Sequence, residues 1–251
     1  MRKLCISVLL IASAALVSCG GSSTSGRNPI QGVSPGGIWR GTDSASGLAI
    51  MGLVDETGSG DFIRADNAQF IGQVSTSGNS ISMTANGYVD VNKTFPDGSK
   101  HGAWSMSGTI QERQTISAAT TFTTDAGTST QGTLDLTFDA LYNRPSSLAT
   151  VSGEFAPVNG FPYFIGADGS ISESELICET NGKISIVNAT YNVYRMQLTT
   201  TCDQGGGGHV TTNVSGLATL DNTVSPERLV LGLSGDFAYA DTWFRCGLGA
   251  C

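Results

Sequence analysis

Short runs in which hydrophobic and polar residues alternate recur along most of the chain. In SISMTA (residues 80–85), Ile81 and Met83 share one face and the hydroxyl side chains share the other. TLDLTF (residues 133–138) and KISI (residues 183–186) repeat this period of two, which is typical of strands with one buried face. No segment sustains a helical period. The pattern therefore predicts an all-β chain that forms an antiparallel barrel or a sandwich.

Turn signals separate these runs, and two longer stretches resemble each other. The turn signals are Asn86-Gly87, Pro96-Asp97-Gly98, Asp168-Gly169 and Asn181-Gly182. Residues 56–83 and 166–194 each contain a glycine turn followed by strand-like runs. We interpret this as two similar β halves, an N-terminal β region (36–158) and a C-terminal β region (159–251). Repetitive composition is the alternative, and the halves would form either two small domains or one jointly closed barrel.

The N-terminal segment has the features of an export signal. Arg2 and Lys3 precede an apolar run over residues 4–17, which is shorter than the roughly 20 apolar residues that span a bilayer. Small residues then lead to Cys19. This arrangement resembles the lipobox of bacterial lipoproteins, in which the cysteine is acylated and becomes the first residue after cleavage. The resemblance implies a signal peptide (1–18), followed by a lipidated Cys19 and a flexible tether (19–35).

The residue after Cys19 bears on which membrane the protein is anchored in. It is Gly20, whereas enterobacterial-type lipoproteins that stay in the inner membrane carry Asp at this place. The resemblance therefore implies an outer-membrane protein that faces the periplasm or the cell surface. Its membrane partner would be engaged through N-terminal acyl chains. Two or three such chains make attachment effectively permanent, because a single chain binds only marginally.

Composition narrows the choice of partners. The whole chain has a formal charge of -8, and removal of Arg2 and Lys3 with the signal changes this to -10. An acidic chain with only 14% charged residues lacks the basic footprint of a nucleic-acid-binding protein. We therefore expect no nucleic-acid partner.

Cysteine usage agrees with export, because oxidising compartments permit disulfides. Cys178 and Cys202 flank two predicted strands and are the favoured pair. Cys246 and Cys251 are a candidate second pair that would close a small terminal loop. The sequence contains no Cys-x-x-Cys motif, so we expect neither a metal site nor a cofactor.

The sequence gives little support for a catalytic site. Its one Gly-x-Ser-x-Gly pattern, Gly32–Gly36, lies before the first predicted strand and not between a strand and a helix, where a nucleophile elbow is found, and a triad would depend on His101 or His209. Each histidine lies beside a glycine in a predicted loop, where we expect it to be exposed. We therefore predict no catalytic residues and no enzymatic activity.

Aromatic residues supply the candidates for a binding site. Gly37-Ile38-Trp39 is similar to the first signature of lipocalins. In that family the tryptophan packs across the closed end of an eight-stranded barrel, and the barrel holds a small apolar ligand. A tryptophan at the base of any β sandwich is the alternative. The candidate ligand-binding or core residues are Trp39, Phe155, Tyr163, Phe164, Tyr191 and Tyr194.

Together these features favour a non-enzymatic binding or interaction module in the cell envelope, anchored in the outer membrane. The overall pattern also resembles β-rich outer-membrane lipoproteins of Gram-negative bacteria. The partner would be another protein or a small apolar ligand. Two alternatives are a lipocalin-like carrier of a small apolar ligand and an envelope hydrolase.

Overall fold

A computed structural model describes residues 32–90, 93–158, 160–174, 177–203 and 208–247. The signal peptide, Cys19, most of the tether and Cys251 lie outside these ranges, so the anchor and the Cys246–Cys251 pair stay predictions. Within the described ranges, no helix is long and apolar enough to cross a bilayer.

The first half of the chain forms a closed antiparallel barrel of eight strands. Each strand pairs with the next along the chain, and β8 pairs with β1 through Trp39 and Phe138, so that no edge is left unpaired. This confirms the predicted all-β fold. The strands are β1 (Gly37–Asp43), β2 (Leu48–Val54), β3 (Ser59–Arg64), β4 (Gln69–Ser77), β5 (Ser80–Tyr88), β6 (His101–Gln111), β7 (Thr115–Thr124) and β8 (Ser129–Asp139).

The second half repeats the same order in a second closed barrel, so the prediction of two similar halves is confirmed. Its first strand, β9, pairs with both β10 and β16 and thereby closes the ring. The strands are β9 (Gly153–Ala156), β10 (Tyr163–Ile165), β11 (Ser170–Ser174), β12 (Cys178–Ile186), β13 (Tyr194–Asp203), β14 (His209–Asp221), β15 (Arg228–Gly235) and β16 (Ala238–Arg245).

The predicted boundary after residue 158 is misplaced. Strand β9 belongs to the second barrel, because Phe155 is fully buried in that core. The connection between the barrels instead holds a 3-10 helix (Ala140–Asn143) and helix α1 (Leu148–Val151). The Ser147 side chain caps α1 by accepting a hydrogen bond from the Thr150 amide at 3.1 Å.

Two of the four predicted turns are strand interiors instead. Gly87 lies in β5 and Gly182 lies in β12. A Cβ at Gly87 would lie 2.5 Å from the Phe122 ring, and one at Gly182 would lie 2.3 Å from the Gln197 carbonyl oxygen. Glycine serves there for close packing and not for a turn. Gly98 and Gly169 do lie in turns, with positive φ values of 85° and 83°.

The barrels lie side by side and point the same way. Outward-facing Ile38, Met51 and Leu53 of the first barrel belong to one buried apolar cluster with Val193 and Leu217 of the second. At one end of this contact, Arg195 donates to Asp55 at 2.8 Å. At the other end, Asp90 and Ala238 form a parallel bridge. We call this second end, which carries the β5–β6 and β15–β16 connections, the mouth end.

A carboxyl group is buried where the barrels meet. Asp61 is 1% exposed, and a Cβ added to Gly232 of β15 would lie 1.9 Å from its Oδ2 atom. Within the described part of the chain, neither Asp61 oxygen has a hydrogen-bond partner. Burial raises the pKa of Asp61 to about 8. This contact between the barrels therefore contains an aspartic acid that is protonated at neutral pH.

Candidate functional site: cavities at the two barrel mouths

The mouth end of the first barrel contains a cavity of about 320 Å³, which we call the cup. Its volume equals that of about ten water molecules at about 30 Å³ each. Strand alternation directs Trp104 of β6 and Thr120 of β7 inward to its wall. The lining residues are Asp43, Ala45, Ser46, Arg64, Phe70, Phe95, Pro96, Asp97, Trp104, Thr120, Phe122, Thr124, Thr128 and Thr130.

Aromatic rings form the apolar part of the cup. Trp104 stacks on Phe70 with ring centroids 5.0 Å apart and an interplanar angle of 25°. Phe122 meets Phe70 edge-on at 5.6 Å. Phe95 comes from the β5–β6 connection and packs 4.6 Å from Phe122. Contacts of this kind give the rings fixed positions, so the cup is largely preformed.

The β5–β6 connection is tied down over the cup by one carboxylate. Asp97 accepts hydrogen bonds from the Thr124 hydroxyl and from the Ser99 amide, the latter at 3.0 Å. The hydrogen bond from Thr124 is the main reason that the pKa of Asp97 is lowered to about 2. Asp97 therefore holds this connection against β7 as a carboxylate at neutral pH.

Polar groups form the rim of the cup. Arg64 donates to Asp43 at 3.2 Å and to both oxygens of Asp66 at 2.9 Å, and its guanidinium carbon lies 5.6 Å from the centre of the Phe70 ring. The two carboxylates more than offset the single positive charge of Arg64. The Thr120 hydroxyl adds a donor and acceptor to the wall, and the Thr124 hydroxyl is engaged by Asp97.

The opposite end of the first barrel is closed. Trp39 is fully buried, and its indole nitrogen donates to the Pro35 carbonyl at 3.1 Å. Its ring packs 5.5 Å from Phe138. Aliphatic and methionine side chains, among them Met83 and Ile110, fill the interior between Trp39 and the cup. The cup is therefore a pocket with one entrance and not a channel.

The second barrel also has a cavity at its mouth end, of about 410 Å³, which we call the mouth cavity. Tyr239 donates to Asp241 at 2.7 Å, and the Trp243 indole donates to Tyr239 at 3.2 Å. Burial and the neighbouring Asp241 charge raise the pKa of Tyr239 above its usual range. The lining residues are Tyr163, Leu198, Thr200, Val214, Phe237, Tyr239, Ala240 and Asp241, with Asn67 and Asp90 from the first barrel.

The far end of the second barrel is covered by the connection between the barrels. Val151 of α1 is fully buried in the core, and Leu148 packs against the same core. The guanidinium group of Arg245 donates to the carbonyl groups of Ser152 and Thr150, at 2.7 and 2.5 Å. Both barrels are thus closed at one end and have their cavities at the same end of the molecule.

One of the six aromatic candidates lines a cavity. Tyr163 borders the mouth cavity and stacks on Trp243 at 4.0 Å. Tyr191 stacks on Tyr142 at 4.7 Å beside the barrel contact, and Phe164 is 57% exposed. The remaining candidates are core residues with at most 1% exposure, namely Trp39, Phe155 and Tyr194.

The cup residues were missed at the sequence level, although a signal for two of them exists. Trp104 lies in HGAWSMSG and Phe122 in TTFTT, where each aromatic residue alternates with small polar ones. Such a pattern predicts an inward side chain but cannot distinguish a cavity wall from a filled core. Phe95 carries no periodic signal, because it comes from a loop.

The disulfide between Cys178 and Cys202 is confirmed. The two residues face each other directly on β12 and β13, with Cα atoms 4.0 Å apart. The pair lies at the mouth end of the second barrel. It joins β12 to β13, and β13 carries Leu198 and Thr200, which line the mouth cavity.

The two histidines lie outside both cavities. His101 begins β6 and lies 3.8 Å from Asp125, and His209 begins β14 and lies 2.6 Å from Asp203. Their side chains are 57% and 63% exposed. Among the residues with described positions, no group of three or more His, Cys, Asp or Glu side chains is arranged to hold a metal ion.

Comparison with known proteins gives no relative of this chain. No protein-family model matches it, and neither the curated proteins nor the solved structures include a significant match. The two cavities are therefore the basis on which function is inferred.

Proposed function

We propose that this chain is a lipid-anchored protein of the outer membrane that binds a small, mainly apolar molecule in the cup without converting it chemically. The observation that carries the proposal is the preformed cup, closed below and lined by aromatic rings. A concave apolar pocket with a few convergent polar groups is the usual form of a small-molecule site. The proposal combines the hypothesis of a non-enzymatic binding module with that of a lipocalin-like carrier of a small apolar ligand.

The lining of the cup defines the class of ligand. Phe70, Trp104 and Phe122 present ring faces and edges that suit a planar apolar body. Thr120 offers a hydroxyl group that can both donate and accept a hydrogen bond, whereas the Thr124 hydroxyl already donates to Asp97. A volume of about 320 Å³ limits the ligand to a small molecule. We infer a planar, mostly apolar ligand with one hydroxyl or similar group.

A filling variant tests the cup. Thr120 points into the cup, so Thr120→Phe places a ring in the cavity and excludes the ligand. The matched control is Thr109→Phe, because Thr109 is exposed on β6. With soluble Cys19→Ser protein and 2-naphthol as the probe, calorimetry should show binding that Thr120→Phe weakens about tenfold or more. Thr109→Phe should bind 2-naphthol like the parent.

Native mass spectrometry of the same protein, purified gently from the periplasm, looks for the natural ligand. We expect an extra mass that is lost on denaturation and is missing from Thr120→Phe. Equal 2-naphthol affinity in the parent and Thr120→Phe would show that the cup is not the binding site. A bare mass together with no 2-naphthol binding would contradict the proposal as a whole.

The anchor is tested separately. Cys19→Ser removes the thiol that an acyl chain requires, so the protein should leave the membrane fraction and appear in the soluble periplasmic fraction. Continued fractionation of this variant with the outer membrane would contradict the proposed lipid anchor, whatever the cup binds.

A further inference from the structure

We propose that the mouth cavity of the second barrel binds a small organic ammonium ion. This is a second site, separate from the cup in residues and in chemistry. It stands on three features of the cavity: the sign of its charge, its aromatic walls and the arrangement of Asp241.

The charged residues that line the mouth cavity are all acidic. Asp241 lies in its wall and Asp90 lies at its edge, and none of its lining residues is Lys, Arg or His. A concave site lined by Asp241 and Asp90 attracts cations.

The residues that line the mouth cavity favour an organic cation over a metal ion. Tyr163, Phe237 and Tyr239 line the cavity, and aromatic faces attract ammonium groups through their ring quadrupoles. A calcium ion instead requires about six to eight oxygen ligands, which this mixed aromatic and aliphatic lining does not supply. Leu198 and Val214 give contact surface for the carbon atoms of the ligand. The volume of about 410 Å³ is ample for a molecule of this size.

Asp241 is arranged to carry the counter-charge. Its Oδ2 atom accepts from Tyr239 at 2.7 Å, and its Oδ1 atom accepts from the Thr242 amide at 2.7 Å. A carboxylate has about four acceptor positions, so two remain for a ligand. The Trp243 indole donates to the Tyr239 hydroxyl at 3.2 Å and so fixes the tyrosine ring. The hydrogen bond from Tyr239 in turn orients the Asp241 carboxylate. The site is therefore organised before the ligand arrives.

The experiment compares a cation with its neutral isostere. Choline and 3,3-dimethyl-1-butanol have nearly the same shape, but only choline is charged. By calorimetry on soluble Cys19→Ser protein, we expect choline to bind about tenfold or more tightly than the alcohol, and added salt to weaken choline binding. Equal affinity for the two compounds, or no binding of choline, would overturn the proposal.

Variants then locate the site. Asp241→Asn should weaken choline binding about tenfold or more, and Asp90→Asn should weaken it less, because Asp90 is at the edge. Asp125→Asn is the matched control, since Asp125 is an exposed acid on the first barrel. Equal choline affinity in Asp241→Asn and Asp125→Asn would contradict the assignment.

Two further results keep the outcome decisive. The comparison of choline with its isostere uses the unaltered mouth cavity, so it remains valid if Asp241→Asn does not fold. Thr120→Phe should leave choline binding unchanged. Loss of choline binding in that variant would place the cation in the cup and overturn the proposal for the second barrel.

Discussion

The two barrels have the same strand order but different chemistry at their mouths. In the first, Phe70, Trp104 and Phe122 make an apolar cup whose Arg64 is paired with the Asp43 and Asp66 carboxylates. In the second, tyrosines surround Asp241 in an acidic cavity. The backbone plan is common to both, so the difference lies in which inward positions near the mouth are apolar. One architecture thus supports two kinds of recognition within one chain.

The barrels also differ in how they are held together. The second begins with strands of 4, 3 and 5 residues (β9, β10 and β11), whereas the shortest strand of the first has 6. Shorter strands make fewer ladder hydrogen bonds, and the second barrel has the Cys178–Cys202 disulfide beside them.

The exposed large hydrophobic side chains among the described residues also lie in the second half of the chain, namely Val158, Phe161, Phe164, Ile177, Ile186, Val210 and Val224.

The largest expected effect concerns the contact between the barrels. The folded state keeps the Asp61 proton up to pH about 8, whereas the unfolded chain releases it near the ordinary value of 3.8. The stabilisation from this group is therefore complete below pH about 4 and is lost as the pH rises to about 8. One pKa unit corresponds to about 1.4 kcal/mol, so the free energy of unfolding should fall by about 4–6 kcal/mol over this range.

Asp61→Asn tests this expectation, because the amide has the same shape and never ionises. Urea unfolding should show little difference from the parent at pH 4 and a clear gain in stability at pH 9. Asp125→Asn, an exposed acid, should follow the parent at both pH values. The same pH dependence in Asp61→Asn and in the parent would show that Asp61 does not control the contact.

Two fully buried tryptophans test whether the barrels unfold together. Trp39→Ala in the first barrel and Trp243→Ala in the second should each cost about 3–5 kcal/mol. The barrels share a buried apolar cluster, so we expect each variant to lower one common transition in scanning calorimetry. A split into two transitions would show that the shared cluster does not couple the barrels.

The disulfide should stabilise the whole fold and, in addition, restrict local opening of the second barrel. Cys178 and Cys202 are 24 residues apart, and closing a loop of that length stabilises by about 3 kcal/mol. Replacing both with Ser should lower the free energy of unfolding by that amount and increase hydrogen exchange in β12 and β13. The corresponding strands of the first barrel, β4 and β5, serve as the internal control. Equal increases in both barrels would contradict a local role.

The smallest expected effect is on entry to the cup. Asp97→Asn weakens the hydrogen bond to Thr124, so stopped-flow measurement should show faster release of 2-naphthol with little change in stability. Because the pKa of Asp97 is lowered to about 2, its ordering effect in the parent should be present above pH about 4 and be lost as the pH falls toward 2. Unchanged release in Asp97→Asn would mean that this connection does not limit entry.

Local patterns predicted much of the fold. The alternation in SISMTA, TLDLTF and KISI corresponds to β5, β8 and β12. The disulfide followed from the two strands that Cys178 and Cys202 flank. The Asn-Gly signals failed at Gly87 and Gly182, because glycine also allows a neighbouring strand or ring to come close, and a short sequence window cannot separate that use from a turn.

The sites were harder to predict. Phe70, Trp104 and Phe122 come from three different strands, and Phe95 comes from a loop, so their meeting depends on the closure of the barrel. Tyr163 was a candidate because other aromatic residues lie close to it in the sequence. Nothing near it in the sequence indicates that Asp241 and Asp90 line the same cavity. Alternation identifies which residues point inward and does not indicate where the interior is left empty.

By itself, the sequence determined the strands, the strand-flanking disulfide pair and the division into two similar halves, because these depend on neighbours along the chain. The tertiary structure decided that each half closes on itself, through pairs such as Trp39 with Phe138. It also decided that Asp61 is buried against Gly232 and that both cavities lie at one end. These features depend on contacts between residues about 100 or more positions apart, which local periodicity does not encode.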